Sequence, residues 1–216
     1  MVKFFSIFAL KPGYDPEETH RLWVNEHMPY VKKIMAAELR GYVIGRVLHS
    51  LTGGEFYGAV QLLYDSLADA LRSQSRTLTE NPPDDFMNRC TDHRRLVIQE
   101  HDIITPPKRR DMIKIISTLS LKPGYDPDET FKLWITEHVP YVKSIYPTLE
   151  GYVIGRVLKT FTGGEFYGAD QLSFSKPEDA IRDGKKIFAN PPDEFMNRTT
   201  NVRRIVIQEA DVFHLK

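Results

Sequence analysis

Two segments of the chain carry nearly the same sequence, "LWVNEHMPYVKKI" at residues 22–34 and "LWITEHVPYVKSI" at residues 133–145. Their apolar residues recur at helical spacing, and a histidine four residues after the tryptophan, His27 or His138, falls within the apolar stripe. A proline follows two residues after each histidine, which predicts a bend in the helix at that point. The sequence therefore predicts two similar helices, each with a histidine in its apolar stripe and a bend at the proline that follows.

The repetition extends over nearly the whole chain, in the same order and 109 to 111 residues apart. The recurring segments include "KPGYDP" at 11–16 and 122–127, "GYVIGRVL" at 41–48 and 151–158, and "TGGEFYGA" at 52–59 and 162–169. Only two copies of a long unit indicate a duplicated domain and not a solenoid. We expect repeat 1 at residues 1–105, a linker at 106–111 and repeat 2 at 112–216.

Within each copy the hydrophobic pattern alternates between strand and helix periods. In copy one, strands are predicted at 3–10, 41–50, 55–64 and 94–103, helices from Pro16 and at 66–78, and a loop or short turn at 81–89. Asp15 is expected to cap the first helix. The order β-α-β-β-α-β is that of the ferredoxin-like split unit.

Such a unit leaves one face of its sheet without helices, and here both faces of the first strand are apolar. Phe4 and Phe8 alternate with Phe5 and Ile7. An apolar open face must be covered, and the matching face of the other copy is the natural cover. We therefore predict an α+β fold in which two ferredoxin-like repeats pack sheet to sheet as an intramolecular dimeric α/β barrel. Two independent domains on a string is the alternative.

Composition narrows the range of partners and compartments. The chain of 216 residues has 29 basic and 29 acidic residues, so its charge gives no reason to expect nucleic acid or a membrane as partner. Cys90 is the only cysteine, which excludes an intramolecular disulfide and favours a reducing, cytoplasmic compartment. The sequence has no phosphate-binding loop, CxxC or HExxH motif. We therefore expect a small-molecule site with no metal and no cofactor.

The repeated polar residues are the candidates for chemistry. His27 and His138 are candidate bases, with a core histidine bonded to a backbone carbonyl as the alternative interpretation. The remaining candidates for substrate binding are aromatic or amide side chains shared by both copies: Trp23, Tyr57 and Gln61, and Trp134, Tyr167 and Gln171. The alternatives are that the tryptophans belong to the core and that Tyr and Gln simply suit a half-buried sheet.

One difference between the copies predicts that their sites are unequal. Asp170 stands where copy one has Val60, among apolar neighbours where an unpaired carboxylate would be costly. We expect it to hydrogen-bond His138 as an acid–base dyad, which makes copy one a structural or weakened twin. The alternative is that Asp170 lies at a wet rim, or faces the barrel interior and meets an arginine or water there.

The motif "WxxEHxPxV", preceded by "PGYDP" and followed by "GY", resembles the EthD family of the dimeric α/β-barrel superfamily. The resemblance covers both halves, and members usually pair two chains where this chain appears as a fused pair. Relatives include proteins of ether degradation, polyketide-tailoring enzymes and muconolactone-type isomerases. The isomerases imply catalytic roles for His27 with Tyr42 and for His138 with Tyr152, although they also use cysteines that this chain lacks near its pocket strands.

The leading functional hypothesis is a cofactor-independent enzyme acting on a small apolar or aromatic carbonyl compound, such as a lactone, polyketide or catabolic intermediate. The reaction would be a proton transfer of the isomerase or dehydratase type. The alternatives are a non-catalytic small-molecule-binding or accessory protein and, third, a cofactor-free oxygenase. The fused copies form an intramolecular pseudo-dimer, and further homo-oligomerisation stays open.

Overall fold

A computed structural model of the protein describes residues 2–52, 54–80, 84–107, 111–189 and 192–214. Its strands are β1 (Val2–Leu10), β2 (Gly41–Thr52), β3 (Gly58–Tyr64), β4 (Cys90–Ile104), β5 (Ile113–Leu121), β6 (Gly151–Thr162), β7 (Gly168–Phe174) and β8 (Thr199–His214). Its helices are α1 (Pro16–Leu22), α2 (Met28–Met35), α3 (Leu67–Glu80), α4 (Asp85–Arg89), α5 (Pro127–Leu133), α6 (Val139–Ile145), α7 (Pro177–Ala189) and α8 (Glu194–Arg198). A π-helical turn joins α1 to α2 at Trp23–His27, and another joins α5 to α6 at Trp134–His138.

The eight strands form a closed antiparallel barrel in the order β1-β3-β2-β8-β5-β7-β6-β4. The first half contributes β4-β1-β3-β2 and the second half contributes β8-β5-β7-β6. The halves join where β2 pairs with β8 and β4 pairs with β6, so the barrel has no free edge. The fold is therefore α+β with one barrel, and not two independent domains on a string.

The alternation in β1 separates an inner core from an outer one, as the sequence predicts. Phe5 and Ile7 point into the barrel, where they pack with residues of the second half such as Ile116. Phe4 and Phe8 point outward and pack against the first helices of their own half. The candidate histidines belong to these outer layers between sheet and helices.

The barrel interior also holds a buried polar network. Lys3 Nζ lies 2.6 Å from Glu100 Oε1 and donates to Gln61 Oε1 at 3.1 Å. Gln171 donates to Glu100, Gln61 donates to Glu209, and Lys114 pairs with Glu209. The network contains two lysines and two glutamates, so its charges balance. Buried charges need partners of this kind.

Local predictions for the helix ends can be compared with the structure. Asp15 caps α1 as expected, with Oδ1 accepting from the Glu18 N–H at 2.7 Å. Within the segment 81–89, for which the sequence predicts a loop or short turn, residues 85–89 form the short helix α4. Residues 81–83 lie outside the described residues, as do residues 108–110 of the expected linker. The boundaries of the repeats and of the linker stay predictions.

Candidate functional site

A π-helical turn positions His27. The Met28 N–H donates to the Trp23 carbonyl, five residues earlier, which widens the helix by one residue over this turn. Pro29 has no N–H to donate, and the π turn lies directly before the helical segment that this proline begins. The second half repeats the geometry around His138. Such π turns occur frequently at functional sites.

Each histidine is held by an aspartate that sequence analysis did not select. His27 Nδ1 lies 2.6 Å from Asp84 Oδ2, and His138 Nδ1 lies 2.6 Å from Asp193 Oδ2. Burial alone would raise the pKa of Asp84, but the hydrogen bond and charge of His27, together with the backbone N–H groups of Met87 and Phe86, outweigh it and hold this pKa below its usual value of 3.8. The carboxylate is ionised and can only accept, so Nδ1 carries a hydrogen, and in the neutral form of the ring the lone pair is on Nε2.

The aspartates are fixed by the short helices that follow them. Asp84 Oδ1 accepts the Met87 N–H at 2.8 Å at the start of α4, and Asp193 Oδ1 accepts the Met196 N–H at 2.8 Å at the start of α8. One carboxylate thus caps a helix with one oxygen and orients an imidazole with the other. These contacts contradict the alternative in which a backbone carbonyl holds the imidazole.

In the first half, His27 lines a cavity of about 210 Å³ between the sheet and its helices. Apolar side chains from β1, α2, β3 and α4 form most of its wall. Its polar lining residues are Ser6, His27, Tyr42, Gln74, His93 and Arg95. The cavity thus combines an apolar body with a few converging polar groups, as small-molecule sites usually do.

Two of these polar groups, Arg95 and His93, have hydrogen-bonding atoms without a strong partner among the described residues. Within the described part of the chain, the contact of the Arg95 guanidinium is with Met87 Sδ at 3.9 Å, and no carboxylate pairs with it. His93 Nδ1 is buried without a hydrogen-bond partner. Burial, with the nearby Arg95 and His27, lowers the pKa of His93 to about 4, so its ring is neutral near pH 7.

In the second half, the equivalent space is much smaller, and Asp170 has a different partner from the one predicted. His138 and Asp170 line the same cavity of about 80 Å³, but His138 bonds to Asp193. Asp170 lies 3.7 Å from Arg204 Nη2, which corrects the predicted His138–Asp170 dyad. The alternative named an arginine as partner, but in the barrel interior, whereas this pair lies on the outer face of the sheet beside the cavity. The physical reason is register, because Asp170 and Arg204 flank Ser117 on neighbouring strands.

The tyrosines that begin β2 and β6 differ in their access to the cavities. Tyr42 lines the first-half cavity, and its hydroxyl oxygen accepts from Trp23 Nε1 at 3.2 Å. Burial raises the pKa of Tyr42 above its usual 10, which keeps the hydroxyl protonated. Tyr152 accepts from Trp134 Nε1 at 3.4 Å and is fully buried, but it is not among the residues that line the second cavity.

The six predicted substrate-binding residues are not brought to either cavity. Trp23 and Trp134 stack on the phenylalanines of α4 and α8 and form core, as the alternative interpretation had it. Tyr57 and Tyr167 donate their hydroxyls to the carbonyls of Pro16 and Pro127. Gln61 and Gln171 point into the barrel and join the lysine–glutamate network. Their pattern reflects packing and not a shared site.

The residues missed from the sequence are Asp84, Asp193, His93 and Arg95. A signal existed for the aspartates, because "NPPD" at 81–84 and 190–193 recurs before a short helical segment, and Asp is a preferred N-cap. Arg95 recurs as Arg204, yet its lack of a partner depends on contacts that the sequence does not show.

Neither a metal site nor a membrane span is apparent in the parts of the chain that the structure describes. Those residues contain no group of three or more His, Cys, Asp or Glu side chains arranged to hold a metal ion. Their helices are all too short or too polar to cross a bilayer.

Solved structures with the same fold cover nearly the whole chain. An anthrone oxidase-like protein superposes with a TM-score of 0.70 at 12% identity, over 99% of this chain and 92% of that chain. A candidate monooxygenase from Fusobacterium nucleatum gives 0.53 at 10% identity, over 99% and 94%. A chlorite dismutase variant from Candidatus Nitrospira defluvii gives 0.60 at 7% identity, over 97% and 91%. At these identities the likeness concerns the fold alone, that of the dimeric α/β barrel.

The comparison with protein families concerns the first half of the chain. No curated protein matches the sequence. Residues 11–87 match the EthD domain, and this range includes both His27 and its partner Asp84. Residues 11–87 of the chain are therefore similar to the EthD domain.

Proposed function

We propose that the protein is a cofactor-independent enzyme that moves a proton on a small apolar or aromatic carbonyl compound, as an isomerase or dehydratase does. The observation that carries this proposal is the His27–Asp84 pair, 2.6 Å apart, at the wall of the first-half cavity of about 210 Å³. An imidazole that a carboxylate orients beside an apolar cavity is suited to general-base catalysis.

The chemistry follows from the orientation of the imidazole. Asp84 holds the Nδ1 hydrogen, and no described contact occupies Nε2 of His27. A substrate C–H next to a carbonyl would lose its proton to Nε2, and the negative charge would move to the carbonyl oxygen. The protonated Tyr42 hydroxyl at the cavity wall would donate to that oxygen. Return of the proton to another carbon, or loss of a leaving group, completes an isomerisation or a dehydration.

The first half is the better candidate for the active site, which reverses the preference drawn from sequence. Both halves have a histidine–aspartate pair, so the pair alone does not distinguish them. Their cavities do, because the first has about 210 Å³ and the second about 80 Å³. Asp170 and Arg204 occupy the second cavity as an ion pair, which leaves less room there for a ligand.

A cofactor-free oxygenase is the second candidate, and the same geometry supports its first step. The fold is shared with an anthrone oxidase-like protein and with a candidate monooxygenase. Deprotonation by His27 would generate the carbanion that reacts with dioxygen in such a reaction. The accessory-protein alternative predicts a cavity without converging polar groups, and the presence of His27, His93 and Arg95 argues against it.

The architecture that we infer for this function is a fused pair. The halves have the same strand order, β4-β1-β3-β2 and β8-β5-β7-β6, which supports two ferredoxin-like repeats in tandem. A fused pair can change one half without changing the other. The difference between Val60 and Asp170 is an example of such a change.

The test is a screen of small carbonyl compounds for protein-dependent proton exchange with D₂O, followed by proton NMR. We expect the wild-type protein to exchange the hydrogen next to the carbonyl of at least one compound class and the His27→Gln variant to lose this activity. Parallel measurement with an oxygen electrode distinguishes the candidates, since only the oxygenase consumes dioxygen. Exchange that is equally fast with His27→Gln would contradict the proposal.

A further inference from the structure

The second half shows how the arginine beside the cavity is satisfied when the chain supplies all the partners. Arg204 donates from Nε to Ser117 Oγ at 2.8 Å and from Nη1 to Tyr146 Oη at 3.3 Å. Its Nη2 lies 3.7 Å from Asp170 Oδ2. Arg204 and Asp170 are only 4% and 2% exposed, so the pair is fully within the protein.

The first half keeps the arginine and loses these partners. Val60, Ser6 and Arg95 stand in register across β3, β1 and β4, as Asp170, Ser117 and Arg204 do across β7, β5 and β8. Valine replaces the aspartate, and Met35 occupies the sequence position of Tyr146. Arg95 is left with the weak Met87 Sδ contact among the described residues.

A partly buried guanidinium facing apolar walls is unfavourable without an anion to pair with it. The space next to Arg95 is the cavity of about 210 Å³, whereas the corresponding space beside Arg204 has about 80 Å³ and contains Asp170. The unpartnered Nδ1 of His93 is a second polar atom at the same wall. The first half therefore has open space beside Arg95 where the second half has the Asp170 carboxylate beside Arg204, and it has His93 Nδ1 as a further polar atom without a partner.

We propose that the first-half cavity binds small apolar or aromatic carboxylates, with the ligand carboxylate pairing with Arg95 in the place that the Asp170 side chain takes beside Arg204. Guanidinium and carboxylate suit each other because both are planar and can form two parallel hydrogen bonds. The neutral His93 ring lies at the same wall to bond a carboxylate oxygen.

The inference deepens the proposed function, on which it rests for the claim that the ligand is a substrate. The substrate class becomes a small apolar or aromatic carbonyl compound that carries a carboxylate. Arg95 would fix the orientation of this compound, and His27 would act on the hydrogen next to its carbonyl. Arg95 is thus the specificity-determining residue, and Val60 is the residue that keeps its place open.

Isothermal calorimetry with benzoate and its uncharged analogue benzamide tests the inference. The wild-type protein should bind benzoate more tightly than benzamide by about tenfold or more, as a charge-assisted hydrogen bond provides. Arg95→Gln should remove this preference. Lys33→Gln, which removes an exposed positive charge elsewhere, should keep it.

If Arg95→Gln fails to fold, a second variant tests whether benzoate binds beside Arg95. Val60→Asp keeps the arginine and supplies the missing carboxylate from the chain, as in the second half, so it should fold and lose benzoate binding. The proposal is overturned if wild-type protein fails to bind benzoate at millimolar concentration or binds both probes equally. It is also overturned if either folded variant retains the preference for benzoate.

His27→Gln separates this inference from the proposed function. Because His27 takes no part in holding the carboxylate, the variant should still prefer benzoate while losing proton exchange. Anion preference without any exchange in the wild-type protein would refute the proposed function and leave the binding site in place. Proton exchange that is equally fast in Arg95→Gln would refute the carboxylate site and leave the proposed function in place.

Discussion

Asp170→Val should destabilise the protein markedly, because it leaves Arg204 as a buried cation without its carboxylate. Arg204 is only 4% exposed, so water does not replace the lost partner. The hydrogen bonds to Ser117 Oγ at 2.8 Å and Tyr146 Oη at 3.3 Å remain, but neither acceptor carries a charge. Valine fills nearly the volume of aspartate, so the change tests charge pairing and not cavity formation.

The size of the effect can be derived from this geometry. Breaking a buried ion pair by removing one partner costs about 3–5 kcal/mol. The pair is 3.7 Å apart and two neutral hydrogen bonds survive, so we expect the lower end, about 3 kcal/mol. For a protein of this length that loss corresponds to a melting temperature lower by about 6–12 °C.

The assay is urea unfolding followed by circular dichroism, with Val60→Asp as the matched control. The control places a carboxylate across Ser6 from Arg95, where pairing offsets the desolvation of the new charge. We expect its free energy of unfolding to change by less than about 1 kcal/mol. A loss below about 1 kcal/mol for Asp170→Val, or a larger loss for Val60→Asp, would refute the reasoning.

Three further outcomes follow from other contacts. The pKa of His93 is lowered to about 4, so below about pH 6.5 the unfolded chain binds a proton that the folded chain does not. The free energy of unfolding should therefore fall between pH 6.5 and 4, by at most about 3 kcal/mol. The His93→Gln variant should show a smaller fall over the same pH range. Gly168→Ala should cost about 1–3 kcal/mol in thermal unfolding, since its Cβ would lie 2.5 Å from the Trp134 ring. Asp84→Asn should keep the N-terminal cap of α4, whereas Asp84→Ala removes it. In urea unfolding, the free energy of unfolding of Asp84→Asn should be higher than that of Asp84→Ala by about 1 kcal/mol.

The sequence predicts most of the secondary structure because its hydrophobic periods are clear. The alternation of Phe4 and Phe8 with Phe5 and Ile7 correctly indicates an inner and an outer face for β1. The predicted sheet-to-sheet packing is realised through edge strands, since β2 pairs with β8 and β4 with β6. The pairing of edge strands depends on backbone hydrogen bonds and produces no hydrophobic periodicity, so the sequence does not predict which edges pair.

The site was predicted only in part, because its members are distant in sequence. The helical stripe correctly places His27 in a buried position, 8% exposed. Its partner Asp84 lies 57 residues later, at a loop–helix junction whose approach to His27 depends on the tertiary fold. Gln61 was assigned to substrate binding by residue type alone, whereas its side chain points into the barrel.

The partner of Asp170 could not be predicted from the face of the strand on which it lies. The alternation of β7 places Asp170 on the same side of the sheet as His138, and both line one cavity. Two candidate partners were therefore within reach, an imidazole and an arginine. Only strand register shows that Arg204, two strands away across Ser117, takes the carboxylate.

The most direct test of His27 as the catalytic base compares His27→Gln with His138→Gln. The quantity measured is the rate of deuterium incorporation into a carbonyl compound that the wild-type protein exchanges. Both histidines bond to an aspartate at 2.6 Å, so the two variants lose the same local contact. We expect exchange to be lost in His27→Gln and retained in folded His138→Gln, because the larger cavity adjoins His27. Equal rates in the two variants, or loss only in His138→Gln, would contradict it.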